Sequence, residues 1–322
     1  MVGFTLFRSS IVDNRPTLWD NALSLLLCPY TENIMRTTQQ PELVKWINGT
    51  PVFFLPQLDR LQPVPRLLAD GDGNTKTRKN KKRGYMSCGL SLSPHKESGL
   101  GNLCASASRG CAQACLNHQG LASVFHSIRA ARMAKAAAWF LAREWFLDQL
   151  RNELQIWTRK AARADKVLCA RLNMFSDIRW EKSAPWIFEE FPSVEFYDYT
   201  KHKNRFGAIR PNYWVTFSRS ERNEKQALEV LASAGNVAIV FYDDNGKFSG
   251  NRSGAQRLPI GWNGFRVLDG DETDLRFEDT RGIKHGRVIG LRLKAHSNES
   301  RTNAIENGFA IGSNSEGAVH YK

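Results

Sequence analysis

Three of the six cysteines in this 322-residue chain lie close together in residues 103–120, which read LCASASRGCAQACLNHQG. Cys104, Cys111 and Cys115 follow the pattern C-x6-C-x3-C, and His118 comes three positions after the last cysteine. Small residues separate these candidate ligands, as a backbone that wraps closely around a metal ion or cluster requires. Thiolates this near in sequence can reach one centre with little loss of loop entropy. The stretch therefore predicts a metal or cluster site.

Three cysteines without a clear fourth suit two kinds of metal centre. A [4Fe–4S] cluster held by three thiolates keeps one iron open, to which a substrate or S-adenosylmethionine can bind through an amine and a carboxylate. A zinc ion would take a fourth ligand from His118, His95 or Cys88. Zinc fingers and ribbons usually carry two C-x2-C-like pairs, and this chain has none. The spacing favours iron–sulfur, with zinc or no metal as the alternatives.

The overall composition is that of an ordinary globular protein with a basic surface. The chain is 42% hydrophobic and 24% charged, with a formal net charge of +13. This charge predicts nucleic acid as a partner, because a polyanion would be attracted to it. The apolar run at residues 22–28 is too short to span a membrane. Irregularly spaced cysteines predict a reducing, cytoplasmic setting rather than a secreted disulfide scaffold.

The chain divides into four segments by composition. Residues 1–34 lack periodicity and predict a flexible leader, or an upstream extension of the reading frame, rather than a signal peptide. Residues 35–84 form an N-terminal extension, residues 85–312 an α/β domain and residues 313–322 a tail. The extension ends in the run DGDGNTKTRKNKKRG, which predicts either a plain solvated loop or a loop that contacts a phosphate backbone. Its basic residues are Lys76, Arg78, Lys79, Lys81, Lys82 and Arg83.

Strand and helix patterns alternate from about residue 87 onward. Helices are predicted at residues 121–163 (two helices or one kinked helix), at 183–191 with Ser183 as N-cap, and at 221–234. Such alternation predicts parallel α/β architecture, in the form of an incomplete or distorted (β/α) barrel whose cysteine-bearing loop follows the first strand. An open doubly wound sheet is the alternative. The predicted strands are residues 89–94, 166–173, 194–199, 212–218, 237–242, 265–271 and 288–295, with a further short strand in VFFLPQL.

Polar residues collect just after the predicted strands, where βα folds place their chemistry. We expect the polar residues at five of these strand ends to converge on one pocket. The alternative is that they are ordinary polar loop residues, which βα folds carry without any site. A lysine in such a place is hard to explain by packing, which makes Lys201 a strong candidate. The predicted catalytic residues are Asp177, Asp198, Lys201 and Glu221. The predicted cofactor-binding residues are Asn173, Ser176, Ser218, Asp269 and Asp271.

Several separated motifs occur in one order along the chain. They are residues 89–120, then RLNMFSDIRWE, FYDYTKHKNR, FSRSERN, DGDETDLRFED followed by VIGLRLKA, and the closing NGFAI. Together they resemble the phage gene product 88 family, over about residues 87–311. The function of that family is unassigned. The resemblance implies a phage-encoded protein in the host cytoplasm, with a bacterial host protein as a third kind of partner.

A three-cysteine loop after the first strand of a barrel is also distantly similar in architecture to the radical S-adenosylmethionine enzymes. Their usual spacing is C-x3-C-x2-C, and no GGE-like element follows the second strand here. The likeness implies that acidic and amide groups at the strand ends would position S-adenosylmethionine. The sequence thus predicts a phage-type iron–sulfur enzyme that acts on or near nucleic acid. The alternative is a non-catalytic nucleic-acid-binding protein with a structural zinc.

Overall fold

A computed structural model describes residues 40–71, 77–115, 125–243, 257–279, 285–294 and 297–319. The predicted leader, Lys76 and His118 lie outside these ranges. The described residues all belong to one compact unit. Across the described ranges, no helix is long and apolar enough to cross a membrane.

A small antiparallel sheet begins the described chain. It consists of β1 (Glu42–Ile47), β2 (Thr50–Leu55) and β3 (Arg60–Pro63) in that order. Asn48 and Gly49 both have positive φ angles, which suits the two-residue turn between β1 and β2. The strand predicted in VFFLPQL corresponds to the buried β2.

A mixed sheet of twelve strands forms the body of the protein. Seven of these strands overlap the seven strands predicted after residue 87. The bounds are β4 (Leu68–Asp70), β5 (Tyr85–Leu90), β6 (Val167–Arg171), β7 (Glu195–Thr200), β8 (Gly207–Arg210), β9 (Tyr213–Ser218), β10 (Val237–Tyr242), β11 (Gly261–Trp262), β12 (Phe265–Asp269), β13 (Val288–Arg292), β14 (Ile311–Gly312) and β15 (Ala318–Val319).

The order of this sheet is β15-β11-β12-β13-β10-β9-β7-β6-β5-β4, with β14 and β8 as side pairings on β10 and β9. All neighbours from β5 to β12 are parallel. The outer edges of β5 and β12 are occupied by antiparallel partners, β4 and β11. The two edges that closure would join are therefore already paired, and the described strands form no closed barrel. The predicted α/β class is confirmed, whereas the choice between an incomplete barrel and a doubly wound sheet stays a prediction.

Seven α-helices are described. The predicted helical stretch up to residue 163 contains two helices that are separated at Ala142, whose φ of −137° and ψ of 52° are not helical. The prediction of Ser183 as an N-cap is wrong. Ser183 ends one helix, and the next begins after Pro185, because the residue before a proline is pushed out of the helical region. The helices are α1 (Arg109–Gln113), α2 (His126–Leu141), α3 (Arg143–Arg163), α4 (Trp180–Ser183), α5 (Trp186–Glu190), α6 (Glu224–Ala232) and α7 (Asn298–Glu306).

Alternation along the parallel strands assigns side chains to two faces of the sheet. On β6, Leu168 and Ala170 pack in the main core with α2 and α3. Cys169, between them, packs on the opposite face with Tyr197 and Phe277. The same alternation decides which side of the sheet the side chains at the carboxyl ends of the strands face. The cavity described below opens at these ends.

Candidate functional site

A cavity of about 220 Å³ lies at the carboxyl ends of the parallel strands. One wall is the cysteine-bearing segment, and the other is formed by residues at or just after the strand ends. Of the nine strand-end residues predicted to form a site, five line this cavity. They are Asn173, Ser176, Asp177, Lys201 and Ser218. The cavity is also lined by Cys104, Cys111 and Cys115, so the structure brings the cysteines and these polar residues together.

The short helix α1 holds Cys111 in the cavity wall, and a carboxylate from another part of the chain binds the start of this helix. Ser108 is its N-cap and accepts a hydrogen bond from the Cys111 N–H at 3.1 Å. The Ser108 hydroxyl and the Gly110 N–H both donate to the Glu221 carboxylate, each at 2.8 Å. A Cβ on Gly110 would lie 2.7 Å from Asn307 Oδ1 and 2.8 Å from Glu221 Oε2, so a larger residue here would displace these side chains. Glu221 therefore positions the cysteine segment and does not itself line the cavity.

The substitution Glu221→Ala is expected to lower the free energy of unfolding by about 1–2 kcal/mol, because two donors at the start of α1 lose their acceptor. Urea unfolding measures this change. Glu229→Ala is the matched control, since Glu229 is an exposed glutamate on the neighbouring helix. Equal losses in the two variants would contradict a positioning role for Glu221.

The Cys104 thiol lies in a partly buried place. It donates a hydrogen bond to the Phe175 carbonyl oxygen at 3.2 Å. Burial raises the pKa of Cys104 to about 12, although a backbone hydrogen bond from His95 acts in the opposite direction; Cys115 and Cys111 raise the pKa further. The thiolate form therefore needs a compensating cation, such as a metal, because metal ligation displaces the thiol proton.

The described part of the chain contains no group of three or more His, Cys, Asp or Glu side chains that is already arranged to hold a metal ion. The three thiols share one cavity, but ligation would require the segment that carries them to draw closer together. Of the other predicted zinc ligands, His95 lines the cavity, while Cys88 is buried in β5 and does not. The three cysteines fit a [4Fe–4S] cluster that leaves one iron open, because they are thiol donors, three in number, and line the same cavity.

Asp177 and Lys201 connect the loops that follow β6 and β7. The Asp177 carboxylate accepts from the Thr200 hydroxyl at 2.8 Å, from the Lys201 N–H at 2.9 Å and from Arg205 Nη1 at 3.2 Å. The Lys201 ammonium points across to the end of β9 and donates to Ser218 Oγ at 2.9 Å. The arrangement presents a cation and a hydroxyl side by side in the cavity wall.

Asp198 lies behind the cavity rather than in its wall. It is fully buried, and its carboxylate accepts from the Asn173 N–H at 2.7 Å, from Asn173 Nδ2 at 3.0 Å and from the Tyr213 hydroxyl at 2.9 Å. Burial raises the pKa of Asp198 to about 7, even though Arg171 and these donors favour the charged form. Asp198 therefore holds Asn173 in place, and Asn173 lines the cavity.

Asp269 and Asp271 do not line the cavity either. Both carboxylates instead bind cationic side chains of the protein itself. Asp269 accepts two hydrogen bonds from Arg292, at 2.7 and 2.8 Å. Asp271 accepts from the Arg292 N–H at 2.9 Å and from Lys294 Nζ at 2.5 Å. Arg292 and Lys294 do line the cavity, and sequence reasoning missed them. Their spacing of two residues at the end of a predicted strand, which places both on one face, was the available signal.

A buried polar network at the base of the cavity was missed as well. Arg171 and Tyr199 line the cavity. Asp274 accepts from Arg171 Nη1 at 3.1 Å, from the Tyr197 hydroxyl at 3.1 Å and from the Tyr199 hydroxyl at 3.3 Å. Alternation along β6, which puts Arg171 on the same face as Cys169, could have indicated this position.

The basic run is partly helical, which corrects the prediction of a loop. Residues Thr77–Arg83 form a 3-10 helix with Thr77 and Asn80 buried and all of its basic residues exposed. Lys79 donates to the Asp271 carbonyl oxygen, and Arg83 lies 3.3 Å from the Glu278 carboxylate. The short helix thus presents several cations to solvent on a firmly attached backbone.

Comparison with known proteins gives one match. The family described as gene product 88 matches residues 66–307. This confirms the family resemblance predicted from the motifs and begins nearer the N-terminus than those motifs do. No curated protein matches the chain, and no solved structure does either. The likeness to radical S-adenosylmethionine enzymes therefore stays a prediction.

Proposed function

Since the chain belongs to the gene product 88 family, we propose a function for it from the residues that the fold brings together. The proposal is an iron–sulfur enzyme in which Cys104, Cys111 and Cys115 hold a [4Fe–4S] cluster with one open iron. The observation that carries it is that all three cysteines and five polar strand-end residues line one cavity.

A cluster with an open iron would supply a binding position for an amine and a carboxylate, such as those of S-adenosylmethionine, together with an electron. The chain's own residues would bind and orient the substrate. Asn173 and Ser218 offer an amide and a hydroxyl, and Lys201 offers a cation. Asp177 keeps the two loops in register through its bonds to Thr200 and Lys201. Ala107 and Ala114 line the cavity beside the cysteines and leave room for a bulky group.

Metal analysis of anaerobically purified and reconstituted protein tests this proposal. We expect about four iron atoms and four acid-labile sulfides per chain, since that is the content of a [4Fe–4S] cluster. A colourless protein without labile sulfide after reconstitution would rule the cluster out. About one zinc per chain would support the second candidate function, described next.

The second candidate is a non-catalytic nucleic-acid-binding protein with a structural zinc. The observation that favours it is the exposed 3-10 helix Thr77–Arg83 with its basic side chains. Such a surface suits the phosphate backbone, which needs cations but no particular base sequence. An enzyme that acts on nucleic acid would use the same surface to bring its substrate to the cavity.

Changing Arg78, Lys81 and Lys82 together to glutamine is expected to weaken binding to duplex DNA or RNA and to reduce the slope of log affinity against log salt by about one per lost phosphate contact. Gel-shift titrations at several salt concentrations measure both quantities. The control changes Arg222, Lys182 and Lys225, which are exposed basic residues elsewhere, to glutamine. It therefore has the same net charge as the test variant. If the control loses as much affinity, the 3-10 helix is not the contact surface.

A further inference from the structure

Four arginine and lysine side chains line the cavity, and carboxylates pair with three of them, Arg171, Arg292 and Lys294. Arg292 is held by Asp269 at 2.7 and 2.8 Å, and Lys294 is held by Asp271 at 2.5 Å. Their charges are largely compensated within the protein, so they contribute little attraction for a ligand. The other two cations, Lys201 and Arg171, have different surroundings.

Lys201 has no carboxylate within 4 Å of its ammonium among the residues that the structure describes. Its polar contact is the Ser218 hydroxyl at 2.9 Å, and its ammonium lies 5.8 Å from the centre of the Phe309 ring. Because Ser218 Oγ accepts this hydrogen bond, its own proton can be donated to another acceptor. An ammonium has three donors, so Lys201 also retains donors for a ligand. Both groups lie in the cavity wall.

Arg171 provides a second, independent indication. Its side chain is only 8% exposed, and Nη1 is bound to Asp274. Its Nε–H is buried without a hydrogen-bond partner in the described part of the chain. A buried N–H group of this kind is costly unless something accepts from it. The Nε atom itself is covered, but Arg171 lines the cavity, so a shift of its guanidinium would present the Nε–H to an acceptor atom of a ligand.

The strands place these donors on one side of the sheet. β6, β7 and β9 are adjacent, and Thr200 pairs with Phe217, so that Lys201 and Ser218 follow directly at the ends of neighbouring strands. The Arg171 guanidinium lies 4.6 Å from the ring centre of Tyr199, which also lines the cavity. Donors from three strands thus face one space.

We infer that this cavity binds an anionic group, a carboxylate or a phosphate, through Lys201 and Ser218 with Arg171 at its base. Oxygen anions are the acceptors that ammonium, guanidinium and hydroxyl donors bind most strongly. The inference deepens the proposed function. It rests on that function only in taking the anion to be part of the substrate that faces the cysteines. The binding of the anion itself needs no cluster.

Calorimetric titration of the full chain with inorganic phosphate and, separately, with acetate tests the inference. The protein is used both after reconstitution with iron and sulfide and after removal of metal by a chelator. We expect Lys201→Gln to weaken binding at least about tenfold and Ser218→Ala to weaken it several-fold, as lost hydrogen bonds to a charged group do. Arg171→Lys, which keeps the charge beside Asp274 and removes the Nε–H, is expected to weaken binding as well.

Lys203→Gln is the matched control, because Lys203 is exposed and does not line the cavity. It should bind both probes as the unmodified chain does. Binding of phosphate alone identifies a phosphoryl group, and binding of acetate alone identifies a carboxylate. Failure of both probes to bind, or unchanged binding by Lys201→Gln, overturns the inference. Metal analysis reports separately on the cluster, so anion binding by a protein that takes up no iron would support the anion site and sink only the proposed function.

Discussion

Replacement of Cys104, Cys111 or Cys115 by alanine is expected to reduce bound iron and labile sulfide from about four per chain to background, in each variant separately. Three thiolates are the minimum that holds a cluster with one open iron, and the cavity offers these three. With one thiolate removed, two irons lack a protein ligand and the cluster is lost to solvent. Iron and sulfide analysis after anaerobic reconstitution measures the effect.

Cys169→Ala is the matched control for these variants. It too removes a single thiol, but Cys169 is buried in β6 beside the Ser87 hydroxyl, 3.1 Å away, and does not line the cavity. We expect it to keep the full content of iron and sulfide. If the three cavity variants kept their iron, or if Cys169→Ala lost it equally, the assignment of the cluster to this cavity would be wrong.

Asp198→Ala is expected to have the largest effect on stability among the predicted site residues, with a loss of about 3 kcal/mol or more in the free energy of unfolding. Three donors, two on Asn173 and one on Tyr213, would be left buried without their acceptor. Asn173 would then be held at the cavity wall only by its side-chain hydrogen bonds to Ser176 and Ile178. Urea unfolding measures the loss.

The pH dependence of stability tests the environment of Asp198 independently. Its pKa is raised to about 7 by burial in the folded protein, whereas an unfolded aspartate has a pKa of about 3.9. Between these values the folded state binds more protons than the unfolded state. The stabilisation from this group is therefore fully present below about pH 4 and is lost as the pH rises through about 7.

Asp198→Asn removes this titration, since an amide does not ionise. The free energy of unfolding of the unmodified chain, minus that of Asp198→Asn, is expected to fall by about 2–4 kcal/mol from pH 4 to pH 8. Asp148→Asn serves as the control for the change of carboxylate to amide, because the Asp148 side chain is 71% exposed. A difference that stays constant with pH would contradict a raised pKa for Asp198.

The parallel strands could be predicted from sequence because strands buried on both faces are nearly continuous apolar runs. The run VAIVFY matches the bounds of β10 without error. The short strands β8, β11, β14 and β15 were missed, since two to four residues are too few to show a period. Their existence depends on neighbouring strands that offer them hydrogen bonds.

The region of the candidate site was also predictable, for a simple geometric reason. The carboxyl ends of parallel strands meet at one edge of the sheet, so polar residues that follow such strands tend to converge. Asn173, Ser176, Asp177, Lys201 and Ser218 all line the cavity as this rule predicts. The rule does not say which of the remaining side chains face the cavity and which support it.

That distinction was decided by tertiary structure. Asp198 alternates with Tyr197 and Tyr199 along β7 and therefore points to the opposite face, where Tyr213 meets it. Asp269 and Asp271 turn to cations that lie more than twenty residues later in the chain. The sequence by itself determined the three clustered cysteines, the parallel α/β class and the edge at which chemistry could occur. Only the folded chain decided which charges are compensated, because long-range pairing brings each carboxylate to its cation.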